Sequence, residues 1–252
     1  MPGDPFDTEG VRRRVLDAWA DSPARFREDA NAEEDYALGG YRDRLIVELA
    51  QNASDAAAIA AEPGLLRIRL HAAELCVANT GAPLDAAGVA ALASLRASAK
   101  RGGGTVGRFG VGFAAVLAVT GEPSILSTSG GVRFSAAATR HEVDALPGLA
   151  DEVEHRAGAV PVLRLPWPAP GLRDPPFTTE VRLPLPAGVA DRVRAILDAV
   201  DAGLLLALPG LTQIDIDGRV LRREDDGADA VTLVDGSRRT AWRVHRAAGA
   251  VA

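Results

Sequence analysis

The stretch VELAQNASDAA, residues 47–57, lies in the segment with the clearest helical pattern of the chain, residues 41–61. Its polar residues Glu48, Asn52 and Asp55 are spaced i, i+4 and i+7, which places all three on one face of a helix. The flanking residues are small or apolar, so the helix is predicted to be largely buried. Asparagine is also a weak helix former, and nothing local explains its place here. The pattern favours a ligand site over the alternative, a solvated helix face.

The three side chains offer a ligand different chemistry. Glu48 can accept a proton from water, and a general base of this kind contributes about 10²–10⁴ in rate. Asn52 offers a neutral oxygen and Asp55 a carboxylate. Hard divalent cations such as Mg²⁺ prefer oxygen ligands and keep several waters. The stripe is therefore typical of a Mg²⁺-dependent site.

A glycine-rich segment, GTVGRFGVGFAAVLAVT at residues 104–120, leads into a predicted helix at 110–120. Gly107, Gly110 and Gly112 keep the backbone bare where that helix begins, so free N–H groups and the positive end of the helix dipole can meet an anion. The segment lacks both the acidic partner of a dinucleotide fingerprint and the Gly-Lys-Ser/Thr ending of a P-loop. It predicts either a phosphate site of another class or merely tight packing.

The segment VANTGAPL, residues 77–84, ends a predicted strand and turns at Gly81. Asn79 stands at the end of the strand with an amide that can both donate and accept hydrogen bonds. The alternative interpretation is an Asn-Thr-Gly turn that binds nothing.

Hydrophobic periodicity and turn residues predict the remaining elements. Predicted helices cover residues 8–20, 23–38, 86–97 and 188–206, the second of them capped by Ser22. Predicted strands cover residues 65–71, 74–80, 123–129, 132–138, 161–165 and 179–185, followed by two hairpins at 212–223 and 231–246.

Composition narrows the class of protein. The chain has 252 residues, 47% of them hydrophobic, and a formal charge of −6, which indicates a globular protein without the basic surface that nucleic acids require. The apolar runs are too short to cross a bilayer, and no targeting segment is evident, so we expect a cytoplasmic protein without membrane contact. Cys76 is the single cysteine and cannot form an internal disulfide.

Taken in order, the motifs resemble the GHKL superfamily of ATP-binding domains, which includes gyrases, histidine kinases and the ninety-kilodalton heat-shock chaperones. The resemblance covers roughly residues 41–185. Within the superfamily, the chaperone branch fits best, and the tail is similar to its sacsin-like members. The matching segments are ELAQNASDA (48–56), VANTGAPL (77–84), GRFGVGF (107–113) and TTEVRLPL (178–185).

The resemblance implies an α+β two-layer sandwich of the Bergerat type, with a mixed, mostly antiparallel sheet and helices packed on one face. It implies an ATP-binding domain at residues 41–207, preceded by a helical segment at 1–40. Residues 208–252 would form a hairpin extension, packed on or continuing into a further domain.

The resemblance also assigns roles to individual residues. Glu48 would activate water, Asn52 would hold Mg²⁺, and Asp55 would support the adenine and ribose side. Residues 85–106 would form a mobile lid, in which Lys100, the only lysine, is a candidate phosphate contact beside Arg101 and Arg108. The nucleotide-binding set comprises Asn52, Asp55, Asn79, Gly81, Leu84, Lys100, Gly107, Arg108, Phe109, Gly110, Val111, Gly112, Phe113 and Thr179.

One residue departs from the family pattern. The second motif of the family opens with an aspartate that accepts from the adenine amino group, whereas this chain has Asn79. An uncharged acceptor forms a weaker bond, so Asn79→Asp is expected to tighten binding.

The function implied is that of a Mg²⁺-dependent ATPase of a chaperone-like protein, with ATP or ADP as ligand. It would act on a protein client or partner domain, and any dimer would form through regions outside this chain. The alternatives are a nucleotide sensor with little or no hydrolysis and an interaction module of the same fold.

Overall fold

The computed structural model describes residues 3–38, 44–94, 111–227 and 229–244. Its α-helices are α1 (Thr8–Asp21), α2 (Pro23–Leu38), α3 (Leu45–Ala60), α4 (Ala86–Ala93), α5 (Ala136–Asp144), α6 (Ala150–His155), α7 (Ala190–Asp198) and α8 (Leu204–Ala207). Two 3₁₀ segments cover Val111–Ala118 and Pro147–Leu149. None of these helices combines the length and apolar composition needed to span a bilayer.

The strands join in one sheet with the order β10-β9-β8-β7-β1-β2-β6-β3-β4-β5. They are β1 (Gly64–Leu70), β2 (Glu74–Asn79), β3 (Ser124–Ser127), β4 (Gly130–Arg133), β5 (Trp167–Ala169), β6 (Thr179–Pro184), β7 (Leu211–Ile216), β8 (Arg219–Asp225), β9 (Ala230–Asp235) and β10 (Arg238–Arg243). The β1–β7 pair is parallel and the other pairs are antiparallel. The predicted mixed, mostly antiparallel sheet with helices is confirmed.

Helix α3 is the central helix of the main core. It buries an apolar face that includes Leu45, Leu49 and Ala53, and it packs against β1 and the 3₁₀ segment 111–118. Because β7 pairs with β1, the strands after the predicted boundary at residue 207 continue the sheet on which α3 lies.

Three element predictions are wrong in their extent. The strand predicted at 132–138 ends at Arg133, because Ser135 caps α5 by accepting the N–H of Ala138 at 3.0 Å. The helix predicted at 188–206 is divided into α7 and α8. The helix predicted at 110–120 is a 3₁₀ segment over its described residues.

The prediction of a strand at residues 161–165 is wrong. This apolar stretch forms a turn, and its backbone bonds to a side chain instead of a neighbouring strand. The carboxylate of Glu33 accepts the N–H groups of Val162 and Leu163, the latter at 3.0 Å. A buried acid on α2 thus satisfies donors that a sheet would otherwise have used.

A buried charge cluster joins α1 and α2 to this turn. Arg164 is 1% exposed, and its Nε lies 3.4 Å from Asp29 and 3.9 Å from Glu33. Its Nη1 donates to the carbonyl of Leu92 at 3.2 Å, and Asp29 also accepts the indole N–H of Trp19 at 3.0 Å. The N-terminal helices are therefore fixed to the end of α4.

Glu33 makes stability depend on pH. Its complete burial raises the pKa to about 7, although Arg164 opposes the shift. The folded chain thus favours the uncharged acid, and stability from this group falls as pH rises from about 4.5 to about 7. We predict a loss of up to about 3 kcal/mol over that range in urea unfolding. Glu33→Gln should remove this slope of the unfolding free energy against pH, and the control variant Glu34→Gln should keep it. Equal slopes in wild type and Glu33→Gln would contradict the prediction.

Candidate functional site

The glycine segment and the polar stripe of α3 meet at one point. A Cβ atom built on Gly112 would lie 1.9 Å from Oε2 of Glu48, so only glycine allows the carboxylate to approach the backbone this closely. The Glu48 side chain is 13% exposed, and Arg44 lies 3.5 Å from its Oε1. The next residue, Phe113, is fully buried and anchors the segment in the core.

Asn52 lies one helical turn after Glu48. Its Nδ2 atom is shielded from solvent and has no hydrogen-bond partner among the described residues. A buried amide N–H without a partner costs about 1–3 kcal/mol, so this donor is open to a ligand or a water molecule.

Asp55 lies at the end of the polar stripe and is exposed. Partial burial raises the pKa of its carboxyl above the ordinary value. At this exposed position the carboxylate is accessible to a ligand.

The turn that follows β2 lies directly against α3. Gly81 has φ +103°, and a Cβ atom there would be 2.6 Å from the carbonyl carbon of Ala56. The N–H of Ala82 donates to the carbonyl oxygen of Ala56 at 3.0 Å. Glu48 and Ala56 are eight residues apart, or about 12 Å along the helix axis. The two predicted loops therefore contact α3 at two separate points, with Asn52 between them.

Asn79, Thr179 and Ser127 form a row across three neighbouring strands. Asn79 lies opposite Thr179, and Thr179 lies opposite Ser127, so the three side chains share one face of the sheet. Asn79 and Thr179 are 9% and 3% exposed. The sequence analysis placed both Asn79 and Thr179 in the nucleotide-binding set. In the structure they are direct cross-strand neighbours, although they are 100 positions apart in the sequence.

The hydrogen bonds of this row determine which atoms remain available. The Nδ2 of Asn79 donates to the carbonyl of Thr80 at 2.8 Å, which leaves the amide oxygen as an acceptor. Ser127 donates its single hydroxyl hydrogen to the carbonyl of Thr178 at 2.8 Å and lies 3.2 Å from Oγ1 of Thr179. Thr179 must therefore be the donor in that pair, and its lone pairs remain free. The row presents two neutral acceptors.

Leu84 contributes to this row through its backbone. Its N–H donates to Oγ of Ser127 at 3.0 Å, and its side chain is 1% exposed. Sequence reasoning missed Ser127, because a serine within a short strand has no local pattern that marks it. It also missed Arg44, although the i, i+4 spacing to Glu48 is a recognisable ion-pair pattern.

Part of the predicted nucleotide set lies outside the described residues: Lys100, Gly107, Arg108, Phe109 and Gly110. The alternative phosphate contact Arg101 lies outside them as well. Only the backbone of Val111 is described. Of the predicted lid, 85–106, residues 85–94 are described, and they include α4, which Asp85 caps by accepting the N–H of Gly88 at 2.7 Å.

A search for similar proteins adds no assignment: no model of a known protein family matches the chain, and no curated protein shows significant similarity to it.

Asn79→Asp is predicted to lower stability. A carboxylate would place a negative oxygen where Nδ2 now donates to Thr80, so we expect a loss of about 1–3 kcal/mol near neutral pH. The repulsion raises the pKa of the introduced carboxyl, which can donate once protonated, so the loss should shrink as pH falls. Asn79→Ala lacks that charge, and its loss should not vary with pH. Urea unfolding of both variants tests this, and a pH-independent loss in Asn79→Asp would contradict it.

Proposed function

We propose that the chain contains a Mg²⁺-dependent ATP-binding and ATP-hydrolysing domain of the Bergerat type. The supporting observation is that two loops, separated in sequence, contact α3 on either side of Asn52. One brings Gly112 to Glu48, and the other brings Gly81 to Ala56. This is the arrangement that the four motif segments imply when they form one nucleotide site.

The base would bind at the row formed by Asn79 and Thr179. The amide oxygen of Asn79 is free to accept from an exocyclic amino group of adenine, because its own donor is satisfied by Thr80. Thr179 adds a second acceptor that can act directly or through water. Guanine carries a carbonyl in place of that amino group, so two acceptors favour adenine over guanine.

The phosphates would bind at the other end of α3, near Gly112. Asn52 would hold Mg²⁺ through its amide oxygen, and a metal with one neutral protein ligand takes its other ligands from phosphate and water. This fits the composition of the site, since the described residues contain no group of three or more acidic, histidine or cysteine side chains that could hold a metal. When bound, the ion would neutralise charge on the phosphates.

Glu48 would act as the general base. Its carboxylate is shielded from most of the solvent and lies against the bare backbone of Gly112, near the end of the glycine-rich segment GRFGVGF. A carboxylate in this place can accept a proton from a water molecule beside the terminal phosphate. Asp55 would contribute a charge on the ribose and adenine side.

A nucleotide sensor with little hydrolysis is the second candidate function. Arg44 lies 3.5 Å from the Glu48 carboxylate and can hold it in an ion pair instead of against a water molecule. Chaperone activity and a protein client remain predictions that follow from the forms of the motifs, and a cytoplasmic location remains a prediction from composition.

Asn52→Ala should weaken the binding of ATP far more in the presence of Mg²⁺ than in its absence, because the substitution removes the metal ligand. Calorimetry with ATP, ADP and GTP, with and without Mg²⁺, measures this. Gln51→Ala is the matched control, since Gln51 is exposed on the same helix. Absence of heat from every nucleotide with the wild-type chain would contradict both candidate functions.

Glu48→Gln should keep ATP binding and lower phosphate release by about 10²–10⁴-fold. Gly112→Ala should lower phosphate release similarly, because the added methyl group displaces the carboxylate of Glu48. The cost in stability should be small, because the displaced group is the flexible end of a side chain. Gly148→Ala is the control, since a Cβ there meets no atom within 4 Å. If wild type and Glu48→Gln bind ATP and release phosphate equally slowly, the chain is a sensor. If Gly112→Ala hydrolyses ATP normally, Glu48 is not held by this contact.

A further inference from the structure

Strand β10 forms one edge of the sheet. Among the described strands it pairs only with β9. The N–H of Val244 donates to the carbonyl of Asp229 at 2.9 Å, and these two residues continue the β9–β10 register. Inward-facing backbone groups alternate along an antiparallel pair. The N–H and C=O groups of Arg239, Ala241 and Arg243 therefore face away from β9.

The two faces of β10 differ in character. Arg238, Thr240 and Trp242 lie on the face that borders a cavity of about 440 Å³, whose wall includes the apolar Leu206 and Leu233 and the acidic Asp201 and Asp235. Trp242 is 47% exposed, although most large hydrophobic side chains of the described residues are covered. Tryptophans are frequent anchors in protein interfaces.

The charge of β10 has one sign. Its sequence, RRTAWR, contains three arginines and no acidic residue. Arg239 pairs with Glu224 on the neighbouring part of the sheet. Arg238 lies opposite Asp235, whose pKa is lowered by Arg219 first and by Arg238 to a smaller extent. Arg243 lies opposite Ala230, which carries no charge. The strand thus combines unpaired backbone groups, an exposed tryptophan and an excess of positive charge.

We propose that the β10 edge binds an extended acidic segment of a partner protein as an added strand. The backbone groups of Arg239, Ala241 and Arg243 would supply the hydrogen bonds of this pairing. Side chains of an added strand alternate between the faces of the sheet. The partner segment should therefore alternate acidic residues, on the face of Arg239 and Arg243, with apolar residues on the face of Trp242.

A second copy of this chain is a poorer occupant. Pairing β10 with another β10 would bring three arginines from each chain together with no acid in either strand, and like charges on adjacent strands are destabilising.

The test uses the full chain and a labelled probe peptide, Glu-Val-Glu-Leu-Glu-Val-Glu, with blocked ends. Ala241→Pro removes one outward N–H without breaking the bonds to β9, so it should weaken binding by about tenfold or more in fluorescence anisotropy. Ala241→Val keeps that N–H and should bind like wild type. The same peptide with lysine in place of glutamate should not bind. Unchanged thermal unfolding of Ala241→Pro would show that the fold is intact.

Several results would overturn the proposal. They are failure of the acidic peptide to bind, equal binding by Ala241→Pro, and equal binding of the lysine peptide. A dimer in sedimentation that Ala241→Pro disrupts would identify a second copy as the occupant. Peptide binding that appears only after removal of residues 245–252 would identify the tail of the chain instead. None of these outcomes depends on nucleotide binding.

Discussion

The close approach of glycine backbones to α3 is the constraint on which this structure depends. Four segments, one of them directly after α3 and three from further along the sequence, contact the helix at positions where a Cβ atom would lie less than 3 Å from a helix atom. Contacts this short require glycine on one side and, over most of the helix, alanine or serine on the other. The contacts are Gly112 at Glu48, Gly210 at Ser54, Gly81 at Ala56 and Gly64 at Ala57.

This constraint determines which residues surround the polar stripe of α3. Because Gly112 lies against the side chain of Glu48 and Gly81 lies against the backbone of Ala56, Asn52 lies on the helix between two points where the chain returns to α3. Asn79, two residues before Gly81, is held at the end of β2 and lies opposite Thr179. In the proposed site, ATP would place its base at the neutral acceptors and its phosphates at the glycine backbone.

The local parts of this arrangement could be predicted from sequence, and the long-range parts could not. The periodicity of α3, the turn at Gly81 and the hairpins after residue 210 follow from patterns within a few residues. The turn at 161–165 has the composition of a strand and became a turn because Glu33, about 130 positions away, accepts its N–H groups. The role of Ser127 depends on three strands in register, and the parallel pairing of β7 with β1 depends on the whole sheet. Such contacts leave no periodic signal in the segments that make them.

The most direct test uses the side-chain amides of the asparagines in nuclear magnetic resonance. The chain has three asparagines: Asn52 and Asn79 in the proposed site, and Asn31 on α2 beside Arg156 as an internal control. On titration with ATP and Mg²⁺, we predict that the side-chain NH₂ signals of Asn52 and Asn79 shift together and saturate at one equivalent, whereas those of Asn31 stay in place. If neither Asn52 nor Asn79 responds, or if Asn31 responds equally, α3 and its covering loops do not form an ATP site.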